Sequence, residues 1–506
     1  MRTHLAPAAL LGLLSAILPG CAVDDTEPPG AGTTTTVTTT TTTSTSTTVP
    51  APPYEPPTVE AGFLEVPAQP GAAAHEARLF YSFHPAEEAP EKAPLLVFFN
   101  GGPGSATSAG LLAFGTGPFT LSTTMKPGDA PVENPHRMSR FAHLLYLDAR
   151  HTGFSYGLSA PGEPCVGDSN VGVDAADFVF ALLGFLDARP ALRGARVVLV
   201  GESYGGARAP AMLHLLQRYG EAAPPGSPLD PKAIPGLVDR IQAHLDATSP
   251  ERAGHVFTPD EVAEQFGWQV LIQPNIAGRM QFDFEAPWIA DDPIIAGYQE
   301  AAEPASHYDV RISEEEQLRI DHLAASSVTS PEGFAALAGL PPHEVPLLGP
   351  ADREGAFRFE PSPPQAPDVS AGLEATLGQL GEGDYYWASF VRACGYWLGD
   401  AWTLNAFFSG LPRTHTFITR ARYDAVVYSP ALPALLAESS AEVTLDDAPR
   451  PGVERPGWIH VAYPSGQEPV IRFPPYESGH AVAITQAQAF SADVEVWLRE
   501  VGAVRD

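Results

Sequence analysis

Basic residues are scarce in this sequence. Its 506 residues include 29 Lys and Arg against 60 Asp and Glu, which gives a formal net charge of −31 at pH 7. Because phosphates would be repelled over most of such a surface, we exclude nucleic acid as a partner. The acidic excess is instead typical of a solubilising surface.

Cysteines and long apolar runs are also few. The cysteines are Cys21, Cys165 and Cys394. With Cys21 set aside, the other two could form one disulfide in an exported protein or remain two buried thiols. The apolar run at residues 5–18 is too short to span a membrane. No metal-ligand spacing, phosphate-cradling loop or dinucleotide fingerprint rises above chance, so we expect no metal and no cofactor.

The first 21 residues have the pattern of an export signal. Arg2 precedes the apolar run at residues 5–18, which ends in Leu-Pro-Gly-Cys at residues 18–21. This pattern predicts a signal peptide over residues 1–20. A small residue before Cys resembles the bacterial lipoprotein signal, in which Cys21 would be lipidated and become the mature N-terminus. An ordinary cleaved signal is the alternative.

Residues 21–57 are rich in Thr, Pro and Gly and have almost no large apolar side chain. Such a composition cannot bury enough surface to fold, so we predict a disordered tether. We expect an exported protein that is anchored to the bacterial cell envelope by a lipid, on the periplasmic or cell-surface face. The lipid would be its only contact with a membrane.

Residues 58–506 are predicted to form an α/β catalytic domain. Apolar runs at residues 94–100, 144–148 and 197–200 are typical of strands buried on both faces, and residues 171–186 have helical spacing. This alternation predicts a mostly parallel sheet flanked by helices. From about residue 218 to 397 strand patterns are scarce, which predicts a largely helical cap insertion. The sheet pattern resumes at residues 415–419, and residues 458–463 and 470–473 suggest a hairpin.

Ser203 is the candidate nucleophile. It lies in Gly-Glu-Ser-Tyr-Gly at residues 201–205, between an apolar strand pattern and a helix pattern. A serine on such a tight strand-to-helix turn projects its hydroxyl above the edge of the sheet.

Asp424 and His480 are the candidate acid and base. A serine hydroxyl needs a base within hydrogen-bond reach, and that base needs an acidic partner to fix its tautomer. Asp424 and His480 each follow a predicted strand and precede a predicted helix. The chain order Ser203, Asp424, His480 is that of the α/β-hydrolase fold. Asp400 is the alternative acid.

Five motifs in order resemble those of the serine carboxypeptidase family. They are Asn-Gly-Gly-Pro-Gly at residues 100–104, Gly-Phe-Ser-Tyr at 153–156, Gly-Glu-Ser-Tyr at 201–204, Asp424 after a strand, and Gly-His at 479–480. The resemblance implies an α/β-hydrolase fold with a cap. It also implies a serine-type carboxypeptidase that acts on peptides with a free C-terminus.

The resemblance assigns roles to five residues. Ser203 would attack the scissile carbonyl, His480 would accept and then return the proton, and Asp424 would orient His480. The backbone N–H groups of Gly102 and Tyr204 would form the oxyanion hole.

The same resemblance implies that Asn100 and Glu202 hydrogen-bond the substrate's terminal carboxylate. Two facing carboxylates repel unless one holds a proton, so Glu202 would have to be protonated. We therefore expect peptide hydrolysis to be favoured at mildly acidic pH.

Two departures from the family pattern are visible. Ser105 stands where many relatives have Cys, and Arg422 and Tyr423 precede Asp424 where a small residue is common.

Two alternative functions stay open: an esterase or acyltransferase with the same triad, and a surface-tethered binding protein whose triad is inactive. The oligomeric state is open as well.

Overall fold

The structure is a computed structural model that describes residues 58–505 with gaps. The gaps are residues 70–75, 103–104, 123, 127, 151, 158–170, 294, 296–308, 310, 314–315, 318, 321–322, 325–330, 341–400, 425, 440–443, 447–457 and 463–468. The predicted signal peptide, the tether with Cys21, the Cys165 and Cys394 pair, Asp400 and much of the predicted cap lie outside the described residues.

Short strands run through the whole described chain. They are β1 (Glu60–Val66), β2 (Ala77–His84), β3 (Leu95–Phe99), β4 (Phe119–Thr120), β5 (Val132–Glu133), β6 (His143–Leu147), β7 (Tyr156–Gly157), β8 (Val197–Glu202), β9 (Trp268–Ile272), β10 (His415–Ile418), β11 (Arg420–Ala421), β12 (Thr444–Asp446), β13 (Ile459–Ala462), β14 (Ile471–Phe473) and β15 (Pro475–Tyr476).

Helices separate many of these strands. They are α1 (Val171–Asp187), α2 (Gly205–Gln217), α3 (Leu237–Thr248), α4 (Pro259–Ala263), α5 (Arg279–Asp291), α6 (Pro331–Ala338), α7 (Ala401–Gly410), α8 (Leu432–Ser439), α9 (Val482–Thr485) and α10 (Ala487–Glu500). Among the described residues, none of the helices combines the length and the apolar character that crossing a membrane requires.

One large sheet organises the described chain. Its strand order is β1-β2-β6-β3-β8-β9-β10-β14-β13-β12, with β7 beside β2. The six central strands from β6 to β14 are parallel, and the outer strands pair antiparallel. The mostly parallel α/β sheet predicted from the sequence is confirmed.

The sheet is covered on both faces, as the apolar character of its central strands predicts. In β3, Leu95, Val97 and Phe99 join the core cluster that also contains side chains of α1, α2 and α3. Leu96 and Phe98 join the cluster on the other face, with side chains of α6, α9 and α10. This alternation follows from the two-residue period of a strand. The parallel pairing of the central strands places their carboxyl ends at the same edge of the sheet.

The prediction of an insertion beginning at residue 218 is wrong in its start. Strand β9 lies inside that range, yet it pairs in parallel with β8 on one side and with β10 on the other. Its sequence, Trp-Gln-Val-Leu-Ile, is a short run between Pro-rich connections. Gln269 interrupts the apolar pattern but is buried and donates to Thr416 Oγ1 (3.0 Å). Strand β9 therefore belongs to the central sheet, and α3 and α4 contribute side chains to the core on one of its faces.

Local signals elsewhere gave the expected elements. Strands β13 and β14 form the antiparallel hairpin. Thr258 and Glu261 form the capping box that opens α4, with side chains and backbone N–H groups bonded reciprocally. Farther along the chain, Glu316 N donates to Ser313 Oγ (3.2 Å).

Candidate active site

Ser203 lies on a sharp turn between β8 and α2. Its φ is 54°, in the left-handed region that side chains disfavour. The turn is tight because a Cβ added at Gly201 would lie 2.2 Å from Gly205 O, and one added at Gly205 would lie 2.9 Å from Phe99 O. The two glycines of the motif are therefore required by backbone contact, and the strained serine projects from the carboxyl end of β8.

The glycine loop after β3 lies directly against this turn. A Cβ added at Gly101 would come within 2.6 Å of Ser203 Cβ and of Tyr204 N. Gly102 follows with a φ of 102°, which favours glycine. The loop therefore contacts the turn of Ser203 through Gly101, and Gly102, a predicted oxyanion residue, is the next residue along the chain. Helix α2 begins at Gly205, and the positive end of its dipole favours negative charge here.

Asp424 and His480 are in direct contact. His480 Nδ1 and Asp424 Oδ2 are 2.9 Å apart, and Asp424 is completely buried. Asp424 Oδ1 accepts hydrogen bonds from Val426 N (2.8 Å) and Val427 N (3.1 Å). Because the carboxylate can only accept, Nδ1 carries the proton and leaves Nε2 of His480 as the basic nitrogen.

Nearby carboxylates set the charge state of His480. Burial disfavours the charged imidazole, but Asp424 and Glu202 outweigh it and raise the pKa of His480 above its usual 6.5. Glu202, the residue before Ser203, contributes to this rise, so its carboxyl lies within electrostatic reach of the imidazole. No hydrogen bond joins Ser203 to His480, both of which are among the described residues.

Asn100 and Glu202 hydrogen-bond each other beside the glycine loop. Asn100 Nδ2 donates to Glu202 Oε2, and Asn100 Oδ1 accepts from Leu111 N (3.0 Å). Burial raises the pKa of Glu202 from 4.5 to about 7, with His480 opposing the rise and Asp424 adding to it. At mildly acidic pH this pair therefore presents a neutral carboxyl next to Ser203.

A buried ion pair supports the Asn100 loop from below. Arg208 of α2 donates through Nη1 to Asn100 O (2.8 Å). It also pairs with Asp174 of α1 through Nε (2.7 Å) and Nη2 (3.2 Å). Arg208 thus ties the loop to α1 and α2. Breaking its pair with Asp174 would be costly because an uncompensated charge would be left buried.

The bulky residues before Asp424 have partners away from the triad. Arg422 pairs with Asp292. Tyr423 OH donates to Glu477 Oε2 (2.7 Å), and the guanidinium of Arg311 lies 3.8 Å from the Tyr423 ring centroid. Both side chains are therefore accommodated without displacing Asp424 from His480.

Sequence reasoning missed two buried side chains near Asp424. Gln273, the residue after β9, donates from Nε2 to Asp424 Oδ2 (2.8 Å). Glu285 accepts from Gln281 Nε2 (2.7 Å) and Tyr428 N (3.0 Å), and burial raises its pKa to about 7. Recognising β9 as a strand would have pointed to Gln273, because the residue after a parallel strand reaches the edge that holds Ser203. Nothing in the local sequence marks Glu285.

The described residues contain no group of three or more His, Cys, Asp or Glu side chains with the arrangement of a metal site.

Comparison with known proteins gives the same family that the motifs resemble. The profile described as serine carboxypeptidase matches residues 53–224, about a third of the chain. A vacuolar serine-type carboxypeptidase of Saccharomyces cerevisiae is 34% identical over 136 residues, which cover 27% of this chain and 24% of that protein.

Two animal relatives give similar figures. A venom serine carboxypeptidase of Apis mellifera is 32% identical over 162 residues, covering 31% of both proteins. A probable serine carboxypeptidase of Homo sapiens is 32% identical over 157 residues, covering 31% of this chain and 30% of that one. The chain thus matches less than a third of the length of each of these relatives.

A solved structure resembles the fold over most of the chain. The prohormone-processing carboxypeptidase of Saccharomyces cerevisiae aligns with 88% of this chain and 92% of its own, at 11% identity and a TM-score of 0.51. At that identity the likeness concerns the fold. The chain therefore has the α/β-hydrolase fold, and its residues 53–224 match the family model of the serine carboxypeptidases.

Proposed function

We propose that this chain is a serine-type carboxypeptidase that releases C-terminal amino acids from peptides. One observation carries the proposal: the carboxyl of Glu202, which Asn100 holds by a hydrogen bond and whose pKa burial raises to about 7, lies beside the turn of Ser203. A general esterase needs the nucleophile and base, but it has no use for a protonated carboxyl at this point. The terminal carboxylate of a peptide is a ligand that the pair of Asn100 and Glu202 would bind.

In this proposal the triad works through an acyl-enzyme. His480 Nε2 takes the Ser203 proton as Oγ attacks the scissile carbonyl, and Asp424 stabilises the imidazolium that forms. The oxyanion accepts hydrogen bonds from Gly102 N and Tyr204 N. His480 then donates the proton to the leaving amine, and water repeats the sequence to release the acyl group.

Glu202 would select for a free C-terminus. Its protonated carboxyl donates to one oxygen of the substrate carboxylate, while the amide of Asn100 holds Glu202 in place. When Glu202 ionises, the two carboxylates repel, and binding weakens. The proposed function therefore includes a preference for mildly acidic conditions with peptides, which substrates without a terminal carboxylate would not share.

We propose a lipid anchor as well, on the basis of the sequence. The Leu-Pro-Gly-Cys run at residues 18–21 and the Thr-rich segment after it suggest export and attachment to the bacterial cell envelope through Cys21. Incorporation of a fatty-acid analogue and partition into a detergent phase test this, and both are expected to be lost in Cys21→Ser. A wild-type chain that stays in the aqueous phase would contradict the anchor.

The proposed reaction is tested by release of the C-terminal residue from an N-blocked dipeptide at about pH 5. The wild-type protein is compared with Ser203→Ala and with Ser491→Ala. Ser491 is a matched control because it is a buried serine of α10 whose hydroxyl has no hydrogen-bond partner among the described residues. We expect release by the wild type and by S491A, and a loss of several orders of magnitude in S203A.

Labelling with a fluorophosphonate separates the other outcomes. Labelling of Ser203 without dipeptide hydrolysis would contradict the carboxypeptidase and favour an esterase or acyltransferase. A folded wild-type protein with neither labelling nor hydrolysis would favour the inactive binding protein.

A further inference from the structure

Gln273 occupies a strained position at the active edge of the sheet. It is the first residue after β9, its side chain is completely buried, and its φ is 46°. Left-handed backbone is disfavoured for a residue with a long side chain and persists only where the surroundings hold it. Ser203, one strand away, is strained in the same way. The side-chain contacts of Gln273 are therefore expected to hold its backbone in this conformation.

The side-chain amide of Gln273 uses both of its ends. Nε2 donates to Asp424 Oδ2 (2.8 Å) and Ser429 Oγ (2.6 Å). Oε1 accepts from Thr419 Oγ1 (2.7 Å) and Ala421 N (3.1 Å). Because the N–H of Ala421 can only donate, the atom it meets is the carbonyl oxygen. The orientation of the amide is thereby fixed, with its donors facing Asp424.

The carboxylate of Asp424 is held at both oxygens. Oδ1 has the backbone donors Val426 N and Val427 N, and Oδ2 has Gln273 Nε2 and His480 Nδ1. Gln273 and His480 thus share one oxygen, so the amide sets where Oδ2 sits in relation to the imidazole. Such second contacts orient the groups that do the chemistry.

We propose that Gln273 is a positioning residue that fixes the carboxylate of Asp424 and, through it, the ring of His480. This inference deepens the proposed function and rests on it only through the triad of Ser203, His480 and Asp424. It does not depend on whether the substrate is a peptide.

The charged groups around Asp424 give the expected direction of a pH effect. His480, Glu202 and Glu285 all interact electrostatically with it. Removing the Gln273 donor leaves more of the Asp424 charge to act on His480. The imidazolium is then held more strongly, and the acidic limb of the rate profile moves to higher pH.

The first experiment compares Gln273→Met with Gln269→Met. Gln269 is a matched control because it is a buried glutamine of β9, the strand that Gln273 follows, and it donates to a threonine, Thr416, instead of the triad. An ester substrate and fluorophosphonate labelling report on Ser203 from about pH 5 to about pH 9. We expect Q273M to lose about 10- to 100-fold in kcat with little change in KM. The acidic limb of its pH–rate profile should move to higher pH. Q269M keeps the wild-type kcat and profile.

The second variant, Gln273→Glu, provides a rescue that a purely structural role would not give. Its introduced carboxyl can donate to Asp424 Oδ2 only while protonated, and it repels Asp424 when ionised. We expect the ratio of its kcat to that of the wild type to be higher at about pH 5 than at about pH 8. Urea unfolding of each variant gives the folded fraction used to normalise kcat.

The outcomes separate this inference from the carboxypeptidase proposal. Labelling and ester hydrolysis without dipeptide release contradict the carboxypeptidase and leave the Gln273 test intact. If Q273M keeps kcat within about twofold and its acidic limb does not move, or if Q269M loses as much, Gln273 is not a positioning residue. A Q273E ratio that does not change with pH would overturn it too. A wild type without labelling would overturn both proposals.

Discussion

Replacing Glu202 with Gln tests the most specific feature of the site. Glutamine keeps the oxygen that accepts from Asn100 and retains donors for a substrate carboxylate, but it cannot ionise. With a Glu202 pKa of about 7, its protonated fraction falls from about 0.9 at about pH 6 to about 0.1 at about pH 8. Peptide kcat/KM relative to ester kcat/KM should then fall roughly 10-fold over this range in the wild type.

The assay measures kcat/KM for an N-blocked dipeptide and for the matching C-terminal ester from about pH 5 to about pH 8. Dividing one by the other cancels the titration of His480, which both reactions share. We expect the ratio to fall with pH in the wild type and to stay level in E202Q. Glu285→Gln is the matched control because that carboxyl is also buried with a raised pKa but does not contact Asn100. Its ratio should follow the wild type.

The same substitution has a predicted effect on stability. The pKa of Glu202 is raised from 4.5 to about 7, so the folded state binds the proton more tightly than the unfolded state. This contribution is fully present below pH 4.5 and is lost as the pH rises through about 7. The wild type should lose about 2 to 3 kcal/mol of unfolding free energy between about pH 5 and about pH 8 through this group. E202Q should not.

Two outcomes would refute this reasoning. One is a wild-type peptide-to-ester ratio that rises or stays level with pH. The other is a parallel decline in E202Q, because another group would then be titrating. Urea unfolding at the two pH values checks the stability arm independently of any substrate.

Two further substitutions probe the loop and the core. Gly101→Ala would place a Cβ within 2.6 Å of Ser203 Cβ and Tyr204 N, and the displaced loop should lower kcat by about 100-fold while circular dichroism stays native. A loss below twofold would mean that the loop moves freely. Phe154 is buried with its ring centroid 4.6 Å from that of Phe80. Phe154→Ala should lower the unfolding free energy by about 3 to 5 kcal/mol in urea titrations, and a change under 1 kcal/mol would contradict the packing role.

The sequence predicts best where chemistry and backbone demand the same residues. Around Ser203, the strand, the two glycines and the helix are each required by a local contact, so the turn can be recognised from one short segment. The Asn100 loop is similar, because it needs glycine to approach Tyr204. Asp424 and His480 could be placed only through their order along the chain and the family motifs, since nothing local distinguishes them from other Asp and His residues.

Prediction from the sequence fails where the structure of a segment is determined by contacts with residues far away along the chain. Strand β9 has only five residues, and one of them is Gln269, whose polarity is satisfied by Thr416 on the neighbouring strand. That partner is about 150 residues away along the chain, so no window of sequence reveals it. Missing β9 displaced the start of the cap and hid Gln273. The buried carboxyl of Glu285 depends in the same way on Tyr428 N.

The two left-handed residues at the ends of β8 and β9 have a consequence for how this protein would change under selection. Glycine adopts the backbone of Ser203 and Gln273 at no steric cost, so variants with glycine there escape a strain that the native sequence retains. A screen of random mutants for heat resistance or soluble yield alone should enrich glycine at position 203, but not at position 273, where the buried side chain makes four hydrogen bonds whose partners would be left unsatisfied. The survivors would be well-folded proteins that no longer react, and a screen that also demands turnover should keep both side chains.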